Sequence, residues 1–253
     1  MADWMTMTDS ENFLQQLAGF GGYWKYDNKR YLAKLTSGKI SDEFFNLTML
    51  TQVPSTLDKW CHVIADIFIK RFFGSSKLES PIGSGIVVVG PGMGAITMAF
   101  SVSRHIGDSK AFFTEPHETT EPIINGVVSK KCQKLKRFTI PENVTVFLVE
   151  DVITTGGSVQ ATLNALDAAG VKFNLAPIVG CLVDRRIEKG PINLSVRMVP
   201  DPSCPYHIVP AEVISIVSTT PRTWDTLEEA RKVCPQAEGA LRPKENWQRL
   251  VEG

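Results

Sequence analysis

Two adjacent carboxylates, Glu150 and Asp151, stand directly after an apolar run at residues 144 to 149. A short apolar run of this kind is typical of a buried strand in a parallel sheet. Because ligands of open α/β sheets bind outside the carboxyl ends of the strands, we expect the acidic pair to stand at the rim of a binding crevice.

The residues that follow predict a phosphate site. Thr154, Thr155, Gly156, Gly157 and Ser158 lead into a helix predicted at 158 to 169. Free backbone N–H groups and the dipole of a helix N-terminus both favour an anion. A phosphate cradle beside two carboxylates suits a ligand that carries a phosphate, vicinal hydroxyl groups and a divalent ion. The alternative is a glycine-rich strand-to-helix turn with an exposed acidic pair.

The elements that position these residues follow a βα pattern from about residue 85. Apolar runs predict strands at 86 to 89, 111 to 114, 144 to 149, 176 to 183 and 209 to 217. A helix predicted at 95 to 105 follows the glycine-rich turn 90 to 94. Residues 115 to 137 have no clear period and carry two prolines, so we expect a long loop there.

The first part of the chain is more irregular. Helical spacing predicts a helix at 9 to 20 and a longer one from Pro54 to Gly74. Between them, a polar turn at 36 to 39 predicts a strand at 31 to 35 and a return strand at 44 to 50.

Composition excludes several classes of function. The 27 Lys and Arg balance 27 Asp and Glu, so no overall field attracts nucleic acid or an anionic membrane. The five cysteines contain no C-x-x-C pair, which disfavours a disulfide framework or a zinc site. The chain lacks the P-loop and dinucleotide fingerprints. Its start is acidic and polar, and no apolar run approaches the ~20 residues of a membrane span, so we expect a soluble, cytoplasmic protein.

The string VFLVEDVITTGGS at 146 to 158 resembles, almost letter for letter, the phosphoribosyl diphosphate (PRPP) motif of type I phosphoribosyltransferases. Further segments resemble the orotate phosphoribosyltransferase family and reach from about residue 30 to residue 250. They are LTSGKISDEFFN at 35 to 46, VGPGMGAI at 89 to 96, FTE at 113 to 115 with LKRF at 135 to 138, LVDR at 182 to 185, and a C-terminal tail.

The resemblance implies the fold and its parts. It implies an α/β, type I phosphoribosyltransferase fold, in which a central, mainly parallel sheet is flanked by helices, with a small N-terminal hood and a mobile catalytic loop. We expect one structural domain overall: a hood and base-binding part at 1 to 80, a PRPP-binding core at 81 to 220, and a tail at 221 to 253 packed on the core. It also implies a homodimer whose loops are shared across the interface.

The resemblance also implies roles for individual residues. Glu150 and Asp151 would bind the ribose hydroxyls and, mostly through PRPP and water, the cofactor Mg²⁺. The PRPP-binding set is Glu150, Asp151, Thr154, Thr155, Gly156, Gly157, Ser158, Gly92, Met93 and Gly94. The base-binding set is Phe44, Phe45, Thr154 and Arg185. The catalytic set is Lys134, Lys136, Arg137 and Asp151.

Physical chemistry qualifies several of these roles. An aromatic ring suits a flat base, but neighbouring strand residues point to opposite faces, so at most one of Phe44 and Phe45 faces it; both could instead be half-buried strand residues. A guanidinium such as that of Arg185 matches a carboxylate, the group that distinguishes orotate from uracil; the alternative is a surface pair with Asp184. The basic loop residues could neutralise a leaving diphosphate or form a solvated face.

We therefore expect an enzyme that transfers the 5-phosphoribosyl group from PRPP to orotate, giving orotidine 5'-monophosphate and diphosphate in pyrimidine nucleotide synthesis. One departure leaves alternatives open. The family commonly has a basic residue right after the second strand, whereas this chain has Glu115-Pro116-His117. The catalytic lysine is therefore not assigned. A phosphoribosyltransferase for another base and a PRPP-binding regulatory or inactive relative remain as alternatives.

Overall fold

A computed structural model describes residues 7–74, 85–107, 109–123, 126–197 and 205–252. The helices are α1 Met7–Gly19, α2 Thr48–Thr51, α3 Pro54–Phe73, α4 Ile96–Arg104, α5 Gly157–Ala168, α6 Leu227–Arg231 and α7 Pro243–Glu252. The strands are β1 Tyr23–Lys25, β2 Tyr31–Lys34, β3 Ile40–Ser41, β4 Glu43–Phe45, β5 Ile86–Pro91, β6 Lys110–Ile123, β7 Gly126–Lys134, β8 Val144–Ile153, β9 Phe173–Asp184, β10 Ile192–Val196, β11 His207–Ser218, β12 Thr223–Trp224 and β13 Gly239–Leu241.

The described chain divides into two compact units. The smaller unit contains residues 1 to 53 together with residues 219 to 253. The larger unit contains residues 54 to 218. This division differs from the three parts expected above in two respects. Helix α3 belongs to the same unit as the α/β core, because it packs on that unit's sheet. The C-terminal segment belongs to the same unit as the N-terminal one, because the two share a sheet.

The larger unit is built on a seven-stranded sheet in the order β10-β11-β9-β8-β5-β6-β7. Neighbouring strands from β11 to β6 run parallel, whereas both outer pairs, β10 with β11 and β6 with β7, are antiparallel. The mainly parallel α/β sheet expected from the apolar runs is confirmed. Since parallel strands end at the same edge, the ends of β5, β8 and β9 lie along one rim of the sheet.

Helix α3 covers the sheet closely. The ring of Phe68 stacks on that of Phe147 from β8 at 3.9 Å between centroids. A Cβ atom at Gly180 of β9 would lie 2.8 Å from Ile64 and 2.9 Å from Phe147. Glycine therefore permits α3 to approach the sheet at this point. The helices predicted at 54 to 74 and at 158 to 169 are both confirmed.

Two sequence predictions for irregular segments are wrong. Most of the loop predicted at 115 to 137 is not aperiodic, because the described residues 115 to 123 of β6 and 126 to 134 of β7 form a hairpin. Glu115 lies opposite Lys134, and Ile123 lies opposite Gly126. From residue 115 the registered partner of β6 is β7, whereas residues 110 to 114 pair with β5. A strand with a neighbour on one side tolerates proline on its other side, which explains why Pro116 and Pro122 do not break it.

The return strand predicted at 44 to 50 is also misplaced. The chain returns earlier, in β3, where Ile40 and Ser41 pair with Lys34 and Ala33. After β4 the chain enters α2, which buries Leu50, and Leu47 just before it is buried as well. Leu47 and Leu50 are three residues apart, which is the spacing of one helical turn. This segment therefore forms a helix instead of the predicted strand.

The smaller unit joins both ends of the chain. Strand β13 pairs with β2 and β12 pairs with β3 in one four-stranded sheet, while β1 pairs with β4. The indole Nε1 of Trp24 donates to the carbonyl of Leu250 at 3.0 Å. Arg222 donates to the buried carboxylate of Asp42 at 2.6 Å. These contacts make the C-terminal segment an integral part of this unit.

None of the helices in the described ranges is long and apolar enough to span a membrane.

Candidate active site

The predicted phosphate site lies between the end of β8 and the start of α5. Gly156 adopts φ +82°, a left-handed conformation that glycine takes without steric cost, and turns the chain into the helix. Because glycine has no side chain, the first amides of α5 receive no capping hydrogen bond from Gly156. Thr154, Thr155, Gly157 and Ser158 are exposed. Hydroxyl groups and the amides of the first helical turn are therefore accessible to an anion, as the sequence predicts.

The structure distinguishes the two carboxylates that precede this turn. Glu150 is 6 % exposed, and burial first, then the charge of Asp151, raises its pKa to about 9. Its Oε2 has no hydrogen-bond partner among the described residues. Asp151 is half-buried and accepts a hydrogen bond from the amide of Val152 at 2.8 Å. At pH 7, Glu150 is therefore a neutral carboxyl group that can donate a hydrogen bond to a hydroxyl.

The glycine-rich turn after β5 packs against Asp151. The amide of Gly92 donates to the carbonyl of Thr114 at 2.7 Å, and a Cβ atom on Gly92 would lie 2.6 Å from that oxygen. A Cβ atom on Gly94 would collide with the Asp151 carboxylate, whose Cγ would be 2.8 Å away. The Gly92–Met93 peptide is cis, and Met93 is 74 % exposed. The structure thus brings two of the predicted PRPP-binding segments together.

The predicted catalytic basic residues lie where the hairpin leaves the sheet. Arg137 donates to Glu115 at 2.5 Å, and Lys136 lies 3.7 Å from the same carboxylate. The hydrogen bond from Arg137 is the main cause that lowers the pKa of Glu115. Lys134 is exposed and forms no ion pair within the described part of the chain. The side chains of Lys130 and Lys131 lie outside the described residues. Glu115 therefore holds two of the three candidates in ion pairs.

Arg185 stands at the end of β9, next to the end of β8. Its amide donates to the carbonyl of Ile153 at 2.8 Å. The alternative interpretation was a surface pair of Arg185 with Asp184, and the Asp184 carboxylate does not lie at the surface. Asp184 is buried and accepts a two-pronged hydrogen bond from Arg186, at 3.0 Å and 2.9 Å, with Lys189 at 3.6 Å. Sequence reasoning missed Arg186, although the doubled arginine after Asp184 was a signal that one of them pairs with it.

This buried pair predicts a stability effect. Replacing Arg186 with Met should lower the free energy of unfolding by about 2 kcal/mol, because the buried Asp184 carboxylate loses its two-pronged hydrogen bond. Urea unfolding measures the change. Arg242→Met, at an arginine whose side chain is 63 % exposed, is the control and should change it by less than about 0.5 kcal/mol. Equal effects of the two substitutions would contradict the assignment.

Phe44 and Phe45 occupy opposite faces of β4 in the smaller unit. Phe45 packs on Tyr23 at 4.9 Å between ring centroids, and Phe44 lies 6.4 Å from Trp247. Phe44 also lines a cavity of about 520 Å³ together with Met49 and Trp247. The buried carboxylate before them, that of Glu43, accepts from the Tyr23 and Thr219 hydroxyls. Phe44 is therefore the residue of the pair that faces a cavity large enough for a base.

Within the described ranges, no three His, Cys, Asp or Glu side chains are grouped as a protein-only metal site would require. Cys61, Cys132, Cys181 and Cys234 have free thiols, and Cys204 lies outside the described residues.

Comparisons with known proteins show which family this chain resembles. Residues 63 to 213 match the model of the phosphoribosyl transferase domain family. Orotate phosphoribosyltransferase from Thermoanaerobacter sp. (strain X514) is 35 % identical over 163 residues, which are 64 % of this chain and 70 % of that protein. The enzyme of the same name from Chlorobium phaeobacteroides is 31 % identical over 182 residues, 72 % of this chain and 76 % of that protein. The solved structure of orotate phosphoribosyltransferase from Aeropyrum pernix aligns with 88 % of this chain and 98 % of that chain at 17 % identity and a TM-score of 0.46.

The matched domain covers more than half of the chain and contains both the phosphate turn and the glycine-rich turn described above. The chain therefore belongs to the phosphoribosyltransferase family, in which curated proteins named orotate phosphoribosyltransferase are among its relatives. It is an enzyme of the pentosyltransferase class with the fold predicted from its sequence, and its substrates are small molecules, PRPP and a base.

Proposed function

We propose that the protein transfers the 5-phosphoribosyl group of PRPP to orotate, giving orotidine 5'-monophosphate and diphosphate in pyrimidine nucleotide synthesis. The observation that carries this proposal is the packing of Asp151 against Gly94 beside an accessible phosphate turn. At this rim of the sheet, residues 154 to 158 offer hydrogen-bond donors for the 5-phosphate, and the amides of 92 to 94 offer donors for the diphosphate. The Asp151 carboxylate lies between the two sets of donors. The names of the relatives support orotate as the base.

The proposed mechanism uses these residues for positioning. Residues 154 to 158 bind the 5-phosphate, Glu150 and Asp151 bind the ribose hydroxyls, and the amides of 92 to 94 bind the diphosphate. A ring nitrogen of the base forms a bond to the anomeric ribose carbon as the bond to the diphosphate oxygen breaks. The bonding electron pair leaves with the diphosphate, and the proton of the ring N–H is released to solvent. Because the ribose carbon becomes cationic and the leaving group anionic, fixed charges and orientation supply most of the rate.

Three further parts of the proposal concern the surroundings of this reaction. Mg²⁺ would be held by Glu150 and Asp151, mostly through PRPP and water, and would neutralise charge on the diphosphate. The protein would act as a homodimer that shares its hairpins across the interface. It would act in the cytoplasm. The acidic pair beside a phosphate turn supports the first part, the family resemblance supports the second, and the cysteines without a C-x-x-C pair support the third.

We expect the Arg185 side chain to determine which base the enzyme prefers. Replacing it with Leu should raise KM for orotate about 10- to 100-fold, because a charge-assisted bond to the orotate carboxylate is lost, and should leave KM for PRPP within about twofold. Steady-state kinetics with each substrate varied in turn measure both constants. Arg104→Leu, at an exposed arginine of α4, is the control. An equal rise in both KM values would contradict the role of Arg185.

The proposed activity itself is tested by comparing bases. We expect kcat/KM for orotate to exceed that for nicotinate, adenine or uracil by at least about 100-fold, since these lack the combination of a pyrimidine ring and its carboxylate. Preference for another base would establish the first alternative. PRPP binding without turnover of any base would establish the regulatory alternative.

A further inference from the structure

A cavity of about 600 Å³ lies between the base of the β6–β7 hairpin and the first turn of α5. Its hairpin wall contains His117, Cys132 and Gln133, and its helix wall contains Gly157, Ser158 and Ala161. The helix wall is thus the end of the predicted 5-phosphate turn. On the opposite, hairpin wall, the family resemblance implies no role for His117, Cys132 or Gln133.

Hydrogen bonds hold the hairpin wall in place. His117 and Cys132 are directly opposite each other in the register of the hairpin, so their side chains share one face. The Cys132 thiol donates to the carbonyl of His117 at 3.4 Å. Gln133 Nε2 donates to the carbonyl of Gly92 at 3.2 Å, which ties the hairpin to the glycine-rich turn. The hairpin wall therefore lines the cavity and is hydrogen-bonded to the glycine-rich turn.

The charges around this cavity single out His117. Lys136 and Arg137, the basic residues that follow the hairpin, are paired with Glu115. Among the residues that line the cavity, His117 is the one able to carry a positive charge; Glu118 also lines it and is exposed. A phosphate bound at Gly157 and Ser158 would thus meet His117 as a cationic donor among the described residues of the cavity wall. An imidazolium N–H gives a short, charge-assisted hydrogen bond.

We infer that His117 binds a phosphate group of PRPP from the hairpin side of this cavity and supplies the cation that a basic residue after the second strand would otherwise provide. The inference rests on the proposed function in so far as PRPP is the ligand of residues 154 to 158. It adds a substrate-contacting residue at the position where the sequence departs from the family pattern.

Kinetics of paired variants test the charge. His117→Gln, which keeps a polar side chain and removes the charge, should raise KM for PRPP about 10- to 100-fold and leave KM for orotate within twofold. His117→Lys should restore KM for PRPP to within about threefold of the original value. His62→Gln, at an exposed histidine of α3, is the control and should change neither constant. An unchanged KM for PRPP in His117→Gln would overturn the inference, and equal losses in the Gln and Lys variants would assign His117 a structural role and overturn it too.

Alkylation of Cys132 gives a second readout that requires no turnover. Cys132 lines the cavity and is half-buried, whereas Cys61, Cys181 and Cys234 are buried. We expect PRPP with Mg²⁺ to slow modification of Cys132 by N-ethylmaleimide at least fivefold in the original protein, as read by peptide mass spectrometry. The protection should need about 10-fold more PRPP in His117→Gln. Equal rates with and without PRPP would overturn the inference. If PRPP protects Cys132 but orotate is not turned over, the proposed activity fails while the site assigned to His117 stands.

Discussion

Replacing Gly94 with Ala should lower kcat/KM for PRPP about 100-fold while changing the free energy of unfolding by less than about 1 kcal/mol. The added Cβ would occupy the position of the Asp151 carboxylate, with Cγ at 2.8 Å and Oδ1 at 3.0 Å. The end of a half-buried side chain can move at low cost, so folding is preserved. The carboxylate that we assign to the ribose hydroxyls would be displaced, and a shift of about 1 Å at a reacting centre costs on the order of 100-fold.

A matched glycine separates this effect from a general cost of adding a methyl group. Gly19 is at the end of α1, and a Cβ atom there would meet nothing within 4 Å. Gly19→Ala should therefore leave kcat/KM for PRPP within about twofold. Asp151→Asn should weaken PRPP binding like Gly94→Ala, and the double variant should lose little more, because both changes remove the same interaction. Additive losses would show that Gly94 acts independently of Asp151.

Replacing Glu150 with Gln should stabilise the fold in a pH-dependent manner. Burial first, then Asp151, raises the pKa of Glu150 from 4.5 to about 9. The folded state therefore holds a proton that the unfolded state releases above pH 4.5, and stability falls as the pH rises from about 4.5 to about 9. The glutamine is neutral in both states and removes this slope. Its advantage should be near zero at pH 4.5 and reach about 3 kcal/mol at pH 7, since each pH unit contributes 1.36 kcal/mol.

Urea unfolding of both proteins at pH 5, 7 and 8.5 measures this advantage. Glu142→Gln is the control, because the Glu142 side chain is 65 % exposed and pairs with Lys172 at the surface; we expect no comparable slope. A constant difference between Glu150→Gln and the original protein across the three pH values would contradict a buried, protonated Glu150. The same variant should still bind PRPP more weakly, because an amide replaces the carboxyl group at the ribose.

The strands and helices that form the candidate site were predictable because their signals are local. Five apolar residues before Glu150 can be buried on both faces, and Gly156 with Gly157 marks the turn into α5. The edge strand β10 was missed, although Ile192, Leu194 and Val196 alternate with polar residues as a half-buried strand does. The hairpin was missed because prolines are read as breakers, and whether a proline breaks a strand depends on which of its edges is paired.

The electrostatics of the site depend on tertiary packing and were not predictable. In the sequence, Glu150 and Asp151 are adjacent carboxylates that cannot be told apart. In the fold, Glu150 is buried, and burial raises its pKa so that it is neutral at pH 7. The pairing of Asp184 with Arg186 was not predicted, because it depends on the turn after β9, which brings Arg186 back to Asp184. The pairing of Glu115 with Lys136 and Arg137 likewise requires the start and end of the hairpin to lie side by side, which sequence spacing does not reveal.

The central claim is tested most directly by the products that the purified protein forms from PRPP, orotate and Mg²⁺. Chromatography and a diphosphate assay should show orotidine 5'-monophosphate and diphosphate in a 1:1 ratio, and Asp151→Asn should slow their formation. Diphosphate released without orotidine 5'-monophosphate, or PRPP bound and left intact in the presence of orotate, would contradict the account.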